Sequence, residues 1–64
     1  MFKNLEAELT RNGYTHKDLC NLLNLNLSTI SYKMNGHTEF KLIECKKIAL
    51  WLNLSIDYLF EVKD

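Results

Sequence analysis

The sequence predicts an all-α domain of five short helices, and three observations carry that expectation. Apolar residues recur every three or four positions along almost the whole chain. Asn-Gly pairs and Asn, Ser or Thr residues fall between the apolar stripes, where helices stop and start. Hydrophobic residues make up 47% of the chain and proline is absent, which suits a folded helical domain and not a disordered one.

Each element follows from its stripe. Phe2, Leu5 and Leu9 stand at i, i+3 and i+7 and predict a first helix over about 2–11. Asn12-Gly13 ends it, with glycine as a left-handed cap; a hairpin turn at this pair is disfavoured because the flanks do not alternate. Thr15 caps a second helix carrying Leu19, Leu22 and Leu23. Asn26 caps a third with Leu27, Ile30 and Met34, which stops at Asn35-Gly36. The longest stripe, Leu42, Cys45, Ile48, Ala49 and Leu52, predicts a fourth helix over about 41–52, flanked by Ile43 and Trp51. Ser55 caps a short fifth helix over 56–60, and the polar tail from Glu61 to Asp64 is expected to fray.

At 64 residues the chain has room for one domain, 1–64, and one core. A chain of this length buries only about 60% of its unfolded surface, so a partner subunit would reinforce it. Two cysteines without a secretory signal point to free thiols in a reducing, cytoplasmic compartment. No apolar run approaches the length of a membrane span.

The informative stretch runs from Thr15 to Gly36. Only Asn24-Leu25 separates the second helix from the cap of the third, so the two helices cross steeply and the third is free to project. Such a crossing needs a small residue facing the partner helix, and Cys20 supplies it. It needs a residue tolerant of positive φ, and Asn24 is the best choice after glycine. Leu25 then pins the turn.

With these features the segment from Thr15 to Ser31 resembles the helix-turn-helix of lambdoid phage repressors and Cro proteins (the XRE-like family), the motif spanning about 16–34. The likeness continues through Asn35-Gly36 to the segment from Leu52 to Phe60, and so covers nearly the whole chain. Cys20 replaces the usual alanine, Asn24 the usual glycine and His16 a common glutamine, while Lys33 lies where an apolar residue is frequent. The resemblance implies a five-helix, lambda-repressor-like DNA-binding domain whose third helix enters the major groove.

It also implies site residues. The positions that meet base edges correspond to Leu27, Ser28 and Tyr32, with Ser31 nearby. None is an Arg, Asn or Gln able to pair bidentately with a purine, although Leu27 suits a thymine methyl. Phosphate contacts are expected from Thr15, His16 and Lys17 at the start of the second helix, where its amides favour an anion. Asn26, Lys33, Asn35, His37, Thr38 and Lys41 complete the frame, with Arg11 a weaker addition. Each has a plainer reading: Leu27 as a core or staple residue, Tyr32 as incidental exposure, Asn26 as a cap, Lys17 and Lys41 as solvated side chains.

Trp51, Ile56, Tyr58, Leu59 and Phe60 present more large apolar surface than so small a core hides, and the family's two-fold dimer contact lies at this end. A homodimer is therefore expected. The formal net charge is zero, from eight basic and eight acidic residues. The last eight residues hold three acids and one lysine, a net of −2, which leaves +2 for the rest. That is little for binding double-stranded DNA, and it favours a monomer that reads weakly and gains affinity by pairing.

His16, Cys20, His37 and Cys45 lack any C-x-x-C spacing, and Cys20 is needed inside, so no metal is expected. No carboxylate pair, phosphate loop or supported nucleophile suggests an enzyme, a cofactor or a small-molecule substrate. The expected function is a Cro-like phage or prophage repressor, acting in the cytoplasm and at the nucleoid, on a pseudo-palindromic operator. The alternative is a protein-interaction module or antitoxin that keeps the fold with weak or no DNA binding.

Overall fold

The computed structural model describes residues 1–61; the expectation of a frayed tail falls, for Val62, Lys63 and Asp64, outside the described residues. Five helices follow in order: α1 Lys3–Arg11, α2 His16–Leu23, α3 Leu27–Met34, α4 Leu42–Leu52 and α5 Ile56–Leu59. No strand occurs among the described residues. α2 packs on α3 and α4, while α5 is held by α1 and α4. Leu5, Leu19, Ile30, Ile48 and Leu59 are fully buried, one from each helix, so a single core joins all five elements.

Four of the helices end in the same way. The N–H of Tyr14, Leu25, His37 and Leu54 bonds back to the carbonyl of Leu9, Cys20, Tyr32 and Ala49, at 2.8, 3.0, 2.9 and 3.0 Å. Each closure turns the chain through one left-handed residue: Gly13, Asn24, Gly36 and Asn53, with φ between 56° and 80°. These bonds satisfy carbonyls that a helix end leaves open, and they turn the chain sharply enough for neighbouring helices to pack. Asn serves at two of the sites because its short polar side chain tolerates this region better than other L-residues. The following helices start on side-chain caps where Asn26 Oδ1 accepts from Thr29 N–H (2.8 Å) and Ser55 Oγ from Tyr58 N–H (3.2 Å). At Thr15 the roles are reversed, since the Asp18 carboxylate accepts from the Thr15 N–H at 2.7 Å.

Two charged side chains lie in the interior. Glu8 accepts from Arg11 Nη1 and from the Tyr58 hydroxyl, each at 2.8 Å, and so ties α1 to α5. That hydrogen bond holds the Tyr58 phenol protonated above its ordinary range. Asn4 reinforces the same seam by donating to the Tyr58 carbonyl at 2.8 Å, and Lys3 N–H donates to Glu61 at 3.0 Å.

The second is Lys33, which corrects an expectation. It is no phosphate contact, because it stands on the inner face of α3 with Ile30 and Met34 and is only 6% exposed. Its ammonium meets Glu44 Oε1 at 3.1 Å, donates to the Glu39 carbonyl at 2.9 Å and lies over the Phe40 ring. Glu44 also accepts from the Lys41 N–H at 2.8 Å. This ion pair occupies the first turn of α4, and Leu42, expected in the inner stripe, is exposed instead.

The geometry generates two stability predictions. Asn24→Ala destabilises the protein by about 1–2 kcal/mol, the cost of a left-handed non-glycine residue, whereas Asn24→Gly retains wild-type stability within about 0.5 kcal/mol. Thermal unfolding measures both, and an Ala variant as stable as wild type contradicts the role given to this turn. Lys33→Met leaves a largely buried carboxylate unpaired and costs roughly 2–4 kcal/mol at neutral pH, most of which Lys33→Met with Glu44→Leu recovers. Burial pushes the Glu44 carboxyl up, but the Lys41 N–H and the Lys33 charge outweigh it and hold it below the usual range. A carboxylate so depressed stabilises the fold above its unfolded pKa and ceases to do so as pH falls through the folded one. The stability gap between wild type and Glu44→Gln is therefore full at pH 7 and closes below about pH 4 in urea titrations; a gap unchanged down to pH 2 excludes this account.

Candidate nucleic-acid interface

The turn at Asn24 and Leu25 decides what α3 shows to solvent. Leu25 is half-buried against the core, and Ile30, Lys33 and Met34 face inward. The opposite face then carries Leu27, Ser28, Ser31 and Tyr32, at i, i+1, i+4 and i+5. These four residues line one shallow cleft. Leu27 and Tyr32 are each 58% exposed, so neither is a core residue, and they form the apolar sides of the cleft. The Tyr32 ring is met edge-on by His37, with centroids 5.8 Å apart.

Most of the residues expected at phosphates are exposed. Thr15 and Lys17 are exposed at the start of α2, Asn26 at the cap of α3, and Asn35, His37, Thr38 and Lys41 beyond its end. Lys17 and Lys41 form no ion pair among the described residues, which leaves both ammonium groups available. His16 is different: its Nε2 lies 2.8 Å from Glu6 Oε1, so an anion at this point competes with a carboxylate already present. Arg11 is held by Glu8. Asn26 is committed to its cap through Oδ1, with its amide nitrogen still open as a donor.

The aromatic residues expected at a dimer contact are largely engaged within the chain. Leu59 is fully buried and Phe60 is 9% exposed, so they belong to the core and are not an outward patch. Phe60 packs edge-to-face with Phe2 and Phe40 at 5.5 and 5.2 Å. Trp51 stacks on Tyr14 at 4.1 Å, and the Tyr58 hydroxyl is bound to Glu8. Ile56 is half-buried and lines a surface groove with Ala49, Leu50 and Leu54. Leu50 is 84% exposed and was missed in the sequence reading. The signal was present, because Ile43 and Leu50 stand seven residues apart and off the Cys45, Ile48, Ala49 and Leu52 stripe.

No group of three or more His, Cys, Asp or Glu residues converges among the described residues. Burial, and then the neighbouring Glu44 carboxylate, push the Cys45 thiol up, away from nucleophilic or metal-binding character. No helix of the described residues is long and apolar enough to cross a membrane. What the α3 face can do chemically is offer two hydroxyls between two apolar walls to another surface.

Neither the curated proteins nor the solved structures contain a match to this sequence. The family model described as the BetR domain matches residues 1–64, the full length of the sequence, and the chain belongs to that family.

Proposed function

We propose that this chain is a sequence-specific, DNA-binding transcriptional regulator of the lambdoid repressor and Cro type. In this reading α2 and α3 form a helix-turn-helix over about 16–34, and α3 enters the major groove of a pseudo-palindromic operator. One observation carries it: after a turn through left-handed Asn24, Leu27, Ser28, Ser31 and Tyr32 line one shallow cleft on the outer face of α3, while Thr15, Lys17, Asn35, His37, Thr38 and Lys41 are exposed in the segments before and after it. A helix that projects one face, with amides, hydroxyls and ammonium groups on both sides, has the layout needed to fix phosphates while presenting side chains to base edges. Membership of a family of small helical domains is in keeping with such a role.

A net charge of zero limits the phosphate term, so the protein acts as a homodimer in the cytoplasm, with two half-sites about 34 Å apart. The pairing surface is Leu50 with the groove of Ala49, Leu54 and Ile56 at the junction of α4 and α5. The rival reading, a protein-interaction module or antitoxin of the same fold, draws on the neutral charge and the apolar Leu27 and Tyr32 on the α3 face.

Fluorescence anisotropy across a salt series separates the two, using duplexes selected from a random library. The DNA reading expects affinity to fall on the order of 10³-fold between 50 and 200 mM salt for a dimer making about six phosphate contacts. It also expects Ser28→Glu to abolish binding with the helical content intact. Failure to enrich any duplex, with the fold preserved, selects the interaction module. For the pairing surface, Leu50→Asp converts a dimeric mass to a monomeric one in light scattering at high concentration and weakens operator binding at least tenfold. A wild-type protein that stays monomeric alone and on DNA removes the dimer from the account.

A further inference from the structure

The α3 face has a chemistry of its own, and it specifies what kind of base pair it can discriminate. α3 contains one cation, Lys33, and that side chain is buried and paired with Glu44, so it cannot reach a base from this helix. The face has no Arg, Asn or Gln side chain; the amides of Asn26 and Asn35 lie outside it, one at the cap before the first turn and one beyond the last, with Asn35 Nδ2 3.5 Å from the Ser31 hydroxyl. Guanine presents two acceptors in the major groove and is read by a forked cation, a group this surface lacks. What the surface does hold is a cleft with an aliphatic side, Leu27, an aromatic side, Tyr32, and the hydroxyls of Ser28 and Ser31.

Of the groups that base pairs present in the major groove, the pyrimidine C5-methyl is the apolar one and requires no hydrogen bond. Leu27 and Tyr32 are more than half exposed in the unbound chain, so covering them with a methyl removes apolar surface from water on both sides of the contact. The Tyr32 ring packs against His37, which favours one orientation before DNA arrives. A serine hydroxyl both donates and accepts, and so suits thymine O4 as well as the N6 and N7 of the paired adenine.

Resting on the DNA-binding reading above, we propose that the cleft between Leu27 and Tyr32 reads the C5-methyl group of a pyrimidine, thymine in unmodified DNA. Each half-site is then chosen by a methyl and not by a guanine, and cytosine methylation at that position mimics thymine.

The test starts from duplexes selected on the wild-type protein. Each thymine of the half-site is replaced in turn by uracil, which deletes the methyl alone, and then by cytosine and 5-methylcytosine. One position per half-site is expected to lose about threefold to fourfold with uracil, or about tenfold when both half-sites are changed. At that position 5-methylcytosine binds more tightly than cytosine by a similar factor. Leu27→Ala, at an exposed site where circular dichroism can verify the fold, erases the thymine–uracil and methylcytosine–cytosine differences. Ser28→Ala weakens binding but keeps them. Equal binding of thymine and uracil duplexes at every position overturns the methyl reading and leaves DNA binding standing. Selection of no duplex overturns both.

Discussion

The Lys33–Glu44 contact is the interaction on which the arrangement of the interface depends. It joins the inner face of α3 to the first turn of α4, and the same ammonium holds the Glu39 carbonyl of the segment between them. A charge brought this far out of water is stable only if its donors are satisfied, and the nearly fixed geometry of its partners sets the rotation of α3 about its own axis. With Lys33 turned inward, Leu27, Ser28, Ser31 and Tyr32 must face outward. The same placement removes the single positive charge of α3 from the surface. The face that α3 exposes is therefore uncharged.

The neutral net charge acquires a structural meaning from this. Three of the ion pairs are internal to the fold: Glu8 with Arg11, Glu44 with Lys33, and Glu6 with His16 when that imidazole is protonated. Lys17, at the start of α2, and Lys41, at the cap of α4, remain outside these pairs and are exposed. Coulomb attraction at a surface falls off within about 10 Å at ordinary salt, so the location of a few unpaired lysines matters more than the total over the chain. A count of zero is thus compatible with a locally positive frame around α3, although a weak one.

Much of the fold was legible in the sequence because it rests on local rules. The 3.6-residue period gave five helices with ends within a residue of those observed, and the Asn-Gly pairs and Asn24 marked left-handed closures. The apolar inner rows of α1 and α2 could be read for the same reason. What could not be read depends on contacts between residues distant in the chain. Glu8 reads in sequence as an ordinary surface carboxylate, and only the arrival of Tyr58, fifty positions later, explains its burial. Lys33 looks like a surface lysine until Glu44 and the Glu39 carbonyl are placed around it. Leu59 and Phe60 resemble a sticky terminal patch until α1 and the Phe40 segment cover them. Of the site, the group on α3 was named by the family resemblance, while the apolar surface around Leu50 required knowing which row of α4 the core had taken.

These two surfaces have different physical demands, and the fold keeps them apart. In the proposed reading the α3 face would meet a polar, hydrated groove, where two apolar side chains and two hydroxyls give little affinity but can be sensitive to a single methyl. The α4–α5 junction offers Leu50 beside its own groove, a knob next to a hole, which is the self-complementary form that a two-fold contact requires. In a domain this small, neither surface alone buries enough to hold a partner tightly. In the proposed dimer, joining two weak readers through the second surface would multiply the discrimination of the first, since a methyl lost in each half-site would be counted twice.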